Sequence, residues 1–122
     1  MKPEELRIGN YILGPKGPCK VREISSYGRL FVEDDVYERE LYDYTPIPLT
    51  EDVLLKSGFQ EVGFYENVYH RRDYRIFLDK KAKDGLVKYE TENYHIEVEV
   101  KSLHQLQNLC FALTSEELNI DF

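Results

Sequence analysis

The residues of this chain best suited to bind a metal or to pair a nucleophile with a base are Cys19, Cys110, His70, His95 and His104. A structural zinc site needs four ligands, usually gathered at short spacings such as C-x2-C. The two cysteines stand far apart and no histidine pair has ligand spacing, so the sequence predicts no metal. Nucleophilic catalysis needs a thiol or hydroxyl held beside a base. His104 and Cys110 form the nearest pair, but six residues along a helix turn through about 600°, which leaves them about 120° apart. Neither G-x-x-x-x-G-K-[ST] nor G-x-G-x-x-G occurs, so no phosphate loop is expected. The acid-rich run EDDVYERELYDY, Glu33 to Tyr44, offers oxygens for calcium. A calcium loop also needs a glycine for its sharp turn, and no glycine lies between Gly28 and Gly58. The run therefore reads as a solvated loop or edge strand. The expectation is a non-enzymatic protein with no catalytic residue, no cofactor and no metal.

One stretch keeps a chemical possibility open. YENVYHRRDYRIFLDKKAK gathers bases among aromatics, and Tyr69 to Lys83 holds six Lys or Arg against two Asp. Phosphate contacts alternating with base stacking hold single strands in this manner. The candidate nucleic-acid residues are Tyr69, Arg71, Arg72, Tyr74, Arg75, Lys80, Lys81 and Lys83. Against this reading stands a net charge of −7, which repels phosphate at long range. The competing reading is a strand whose charges pair with acidic neighbours. What separates the two is direction: one shared exposed face favours nucleic acid, and dispersal favours a protein partner.

The elements that must position these residues follow from pattern. A chain of 122 residues, 42% hydrophobic and 32% charged, has the makeup of one globular domain. No apolar run reaches the 18 or so residues of a membrane span, and MKPEELRIGN has no apolar signal core. Two isolated cysteines are expected as reduced thiols in a cytoplasmic protein. LRIGNYIL, CKVREIS and RLFVE read as short strands broken at Gly9, at GPKGP and at SYG, a bent β-module that could close in SH3-like fashion. The prolines of TPIPL stiffen a connector. Thr50, Glu51 and Asp52 then open a short helix, Glu51 to Ser57, ended by Gly58, with Val53, Leu54 and Phe59 facing the core.

From Phe59 to Lys101 strands are expected: FYENVYH, DYRIFLD, and a hairpin in LVKYETENYHIEVEV. Tyr94, Ile96, Val98 and Val100 alternate with polar residues and should face inward. A turn at Glu92-Asn93 pairs Tyr89 with Ile96, Val87 with Val98, Lys88 with Glu97 and Glu90 with His95, so apolar and charged matches agree on one register. KKAKDG is expected to be an exposed loop ending in an Asp-Gly turn. In SLHQLQNLCFALTSEEL, Leu103, Leu106, Cys110 and Leu113 make one helical stripe, with His104, Gln105, Gln107 and Asn108 off it. The helix should stop near Thr114. Its stripe is expected to lie on the sheet as a packing lid.

ELRIGNYI, PIPLTEDVLLKSGF and LHQLQNLCFALTSEEL, in that order, resemble a group of small proteins of Bacteroides-type bacteria and of their phages and integrated elements. The resemblance implies a cytoplasmic accessory protein of a mobile element. It brings no activity, cofactor or site residue.

The sequence thus predicts an α+β fold. A bent β-module over 1–48 precedes a helix, an antiparallel sheet of about four strands and a C-terminal packing helix, an α-β-β-β-β-α module over 49–122 joined with the first into one compact unit. The function it suggests is binding through protein–protein contacts, with no membrane association. Single-stranded nucleic-acid binding through Tyr69–Lys83 is the alternative.

Overall fold

The computed structural model describes all of residues 1–122. It is α+β, with two antiparallel sheets and two α-helices. The chain forms two compact units, one of Met1–Ile47 with Leu103–Glu116, the other of Pro48–Ser102 with Glu117–Phe122.

In the first unit three strands, β1 (Tyr11–Gly14), β2 (Gly17–Ile24) and β3 (Leu30–Val32), pair in that order. Gly17 sits at φ +115°, in the region open to glycine, and so permits the tight Pro15-Lys16 turn. A register shift between Val21 and Glu23 bends β2, as a bulge does. The acidic run after β3 crosses back with one 3-10 turn at Leu41–Asp43. Arg39 bridges Leu30 of β3, and Thr45 bridges Leu13 of β1. One short segment is thus tied to both edges of the sheet and curls it toward closure, each tie being a single bridge. Leu6, Ile12, Val21, Leu30, Val32 and Tyr44 form the buried core inside this curl.

The second helix, α2 (Leu103–Thr114), belongs to this unit and lies against β1. The division differs from the expected 1–48 and 49–122 modules: the helix groups with the N-terminal strands. Periodicity shows that a stripe is buried but not what it is buried against. The deciding groups are amides on the next stripe round, described below. The backbone N–H of Leu103 donates to the Ile47 carbonyl at 2.9 Å, satisfying one of the first-turn donors. The helix ends where Ser115 turns left-handed at φ +60°, its N–H on the Phe111 carbonyl at 2.8 Å. The residues after Ser115 do not extend the helix.

In the second unit Thr50 caps α1 (Glu51–Lys56), its Oγ1 accepting from the Val53 N–H at 3.3 Å. Gly58, at φ +86°, ends it, and Val53, Leu54 and Phe59 are buried as expected. Five strands follow, one more than anticipated: β4 (Gln60–Glu61), β5 (Val68–Arg71), β6 (Tyr74–Asp79), β7 (Asp84–Glu90) and β8 (His95–Val100), paired in sequence order. The two-residue β4 is too short for any periodic signal. The β7–β8 hairpin has the expected register: Val87 with Val98, Lys88 with Glu97, Tyr89 with Ile96, Glu90 with His95. Tyr94 departs from expectation and is exposed, because the Thr91 hydroxyl accepts from its N–H at 3.1 Å and holds it in the turn. FYENVYH becomes strand only from Val68, leaving Phe64 and Tyr65 exposed in the preceding turn. Asp84-Gly85 opens β7 rather than making the turn. Lys83 takes the left-handed position at φ +58°, and Asp79 Oδ1 accepts from Lys81 and Ala82, each at 3.0 Å. The tail returns to α1, where the Asp121 N–H donates to the Lys56 carbonyl at 2.9 Å.

Candidate functional site

Strand geometry sorts the five-stranded sheet into two faces, because side chains alternate and directly paired residues share a side. One face carries Tyr69, Ile76, Val87 and Val98 across β5 to β8, with Tyr74, Tyr89 and Ile96 on one side of that row and Leu78, Gly85 and Val100 on the other. This face is packed. Tyr69 and Ile76 are fully buried, and a Cβ at Gly85 would stand 2.9 Å from Ile76 Cγ2, so glycine is required there by contact. The Tyr74 and Tyr89 rings lie 4.9 Å apart, tilted.

The other face carries two central rows, flanked by the pairs Asp79–Asp84 and Glu90–His95. His70, Arg75, Lys88 and Glu97 form one; Val68, Phe77, Leu86 and Glu99 form the other. Phe77 and Leu86, directly paired on β6 and β7, are each 37% exposed. Lys88 stands over the Phe77 ring, Nζ 5.1 Å from its centroid, and pairs with Glu97 at 3.3 Å. The hydrogen bond from Lys88, with His95 second, holds the Glu97 carboxyl below its ordinary range. A depression of about 480 Å³ opens on this side of the sheet, lined by His70, Arg72, Arg75, Phe77 and Lys88 along with Val62, Tyr74 and the acids Asp73 and Glu90.

The eight residues of the basic and aromatic strip do not converge. Tyr69 and Tyr74 are buried on the packed face and offer no surface for a base. Burial first, and the nearby Glu51 carboxylate second, push the Tyr69 phenol up to about 12. Arg71 shares the packed side with Tyr74 and lies against Gly58, its Nε 3.2 Å from where a Cβ there would stand. Arg72 lies in the β5–β6 turn and Arg75 on the open face. Lys80, Lys81 and Lys83 occupy the β6–β7 turn at the opposite end of β6, about 17 Å away by strand rise. Lys80 approaches Glu51 at 3.8 Å. Of the eight, Arg72 and Arg75 bring exposed side chains to the depression and the buried Tyr74 only borders it, joined there by His70, Phe77 and Lys88. Sequence reading missed those three as a group, although the alternation of β6 with β7 would have placed Phe77 and Lys88 on one side.

The first unit contains a second polar assembly, and it is closed. His104, Gln107, Asn108 and Phe111 follow one another at helical spacing along α2 and grip the segment before β1. Gln107 Oε1 accepts from the Tyr11 N–H at 2.8 Å, and its Nε2 donates to the Gly9 carbonyl at 3.2 Å. Asn108 Oδ1 accepts from Asn10 Nδ2 at 2.8 Å and Arg7 Nε at 2.9 Å, while its Nδ2 donates to the Glu5 carbonyl at 2.8 Å. The Arg7 guanidinium lies over the Phe111 ring, 4.2 Å from its centroid. His104 is buried with Nε2 3.6 Å from Glu5 Oε2, and burial lowers its pKa while Glu5 raises it back in part. With Gln107 and Asn10 also buried, the amides of this assembly find their partners within the chain itself. Neither Cys19 nor Cys110 is in a disulfide; burial pushes the Cys19 thiol up, away from thiolate.

No family model, curated protein or solved structure matches this chain. No helix is long and apolar enough to cross a membrane.

Proposed function

We propose that this protein is a non-enzymatic binding module that engages a protein partner through the open face of its five-stranded sheet. One observation carries the reading. Phe77 and Leu86 stand side by side and partly exposed at the centre of a regular face, where an exposed strand face ordinarily carries polar residues. Charged residues surround them, the arrangement of an interface with an apolar centre and a polar rim. Dispersal of the strip favours a protein over a single strand, because Tyr69 and Tyr74 cannot stack on bases and the lysines sit at the far turn from Arg72. An accessory role in a mobile element is the biological setting that the three resembling blocks suggest.

A photo-crosslinking residue at Phe77, with Tyr27 of the first unit as control, tests the reading in cells of the native host. Crosslinks to polypeptide from position 77 and not from position 27 support it. Crosslinks to nucleic acid, or none from position 77, overturn it.

A further inference from the structure

We propose that the free edge of β8 takes up an extended segment of a partner protein as an added strand, and that this segment alternates basic with apolar residues. The inference does not rest on the open-face reading, since an edge binds through its backbone. The five-stranded sheet has two edges, β4 and β8. β4 is two residues long, too short to template a strand. In the first unit both edge strands, β1 and β3, are tied to their own chain at Leu13 and Leu30. Bulges, prolines and lysines ordinarily blunt an edge. β8 has none of them: it runs six residues, His95–Val100, in unbroken register with β7.

Hydrogen-bond parity shows which groups point outward. The Thr91 N–H donates to the Tyr94 carbonyl at 2.9 Å, in the same register as the strands. Hydrogen-bonded and non-bonded pairs alternate along an antiparallel ladder. Ile96, Val98 and Val100 therefore bond to β7, and His95, Glu97 and Glu99 turn their N–H and C=O groups away from it. The chain gives these outward groups no hydrogen-bond partner, and all three residues are exposed. Outward residues recur about every 6.8 Å along a strand, the spacing at which an added strand pairs.

Side chains select the strand, because directly opposed residues share a face. Ile96 and Val98 are half-buried at the margin of the packed face, so apolar residues beside them would complete their cover. Glu97 and Glu99 call for basic residues. Glu99 has no cation of its own within ion-pair distance. Glu97 meets Lys88 and His95 through Oε1 alone, which leaves Oε2 to a further cation. The net charge of −7 draws the same kind of segment at long range. A second copy of this chain does not fit. With faces matched, the two registers that overlap five residues of β8 set Glu97 against the partner's Glu97 or against the partner's Glu99.

Amide hydrogen exchange of the isotope-labelled full chain tests this, with three capped hexapeptides as probes. One alternates lysine and valine, one has the same composition in two blocks, and one alternates glutamate and valine. In the free chain the amides of His95, Glu97 and Glu99 should exchange fast and those of Ile96 and Val98 slowly. The alternating lysine peptide should bind saturably, less so at high salt, and slow the three fast amides. The other two peptides should not. Glu97→Pro removes an outward N–H and no ladder bond, so it should stay folded by circular dichroism and lose the peptide. Should that variant unfold, Glu97→Lys with Glu99→Lys decides. It should bind the lysine peptide about tenfold more weakly, as reversing two cross-strand charge pairs requires, and gain the glutamate peptide. The proposal is overturned by an absence of saturable binding, by equal binding of the block peptide, or by protection that misses the three outward amides. Binding that the charge reversal leaves intact overturns it too. So does protection of these amides that rises with chain concentration alone, which would make the occupant a second copy. Crosslinks at position 77 judge the open-face reading independently.

Discussion

The stripe His104–Gln107–Asn108–Phe111 of α2 and the open face of the five-stranded sheet are opposites. On the first, buried polar groups are held by partners from their own chain; on the second, a pair of apolar side chains is left partly exposed. On α2 the side-chain amides of Gln107 and Asn108 meet backbone or side-chain partners in the Glu5–Tyr11 segment. On the sheet, Phe77 and Leu86 are left half covered. Buried polar groups and exposed large apolar ones are the informative exceptions to residue partitioning. Here the first exception explains how the chain holds its own N-terminal segment, and the second marks where it has surface to offer.

The comparison breaks if the polar stripe is not structural. Gln107→Leu should cost about 2–5 kcal/mol, because it strands the Tyr11 N–H and the Gly9 carbonyl away from water. Urea melts of variant and wild type measure it, and a loss below about 0.5 kcal/mol, typical of a surface site, would show the amide clamp to be ornamental. Leu106→Ala, on the neighbouring apolar stripe and fully buried, should cost a similar amount, about 2–4 kcal/mol. The two stripes are then equal contributors by unlike means.

On the packed side of the sheet, Gly85→Val should cost about 1–3 kcal/mol by overpacking against Ile76. Across the same strands, Leu86→Thr on the open face should change stability by no more than about 0.5 kcal/mol. Paired melts of these neighbours would sharpen the contrast between faces. Equal losses would mean that the open face is part of the core.

A pH series addresses the clamp from another side. Burial depresses His104 in the folded state, so the unfolded chain takes up its proton first, near pH 6.5. Stability from this group is therefore full above that value and falls as pH drops from there toward the folded-state pKa. His104→Gln should flatten the fall between pH 7 and 5. Parallel curves for variant and wild type would remove His104 from the account. The size of this effect should be the smallest of the series after Leu86→Thr.

Much of the second unit was legible along the chain. Thr50, the acids after it and Gly58 bound α1 by local chemistry, because capping needs only neighbours in sequence. The β7–β8 register followed from alternation, since a slip of one residue would turn Val87 and Val98 outward. That period-two signal gives face membership but not which face is covered. Tyr69 and Arg75 look alike as members of a basic and aromatic strip, and only the pairing of β5, β6 and β7 sends one inward and the other out. The same holds for α2. Its residues determined that a helix runs from Leu103 to Thr114 and buries Leu103, Leu106 and Cys110. Its attachment to the N-terminal strands was decided by hydrogen bonds across about 100 positions, such as Tyr11 with Gln107 and Asn10 with Asn108. A glutamine off the apolar stripe carries no local sign of burial. Its cost of burial is cancelled only when a distant backbone supplies both partners at once, and that is a property of the folded chain alone.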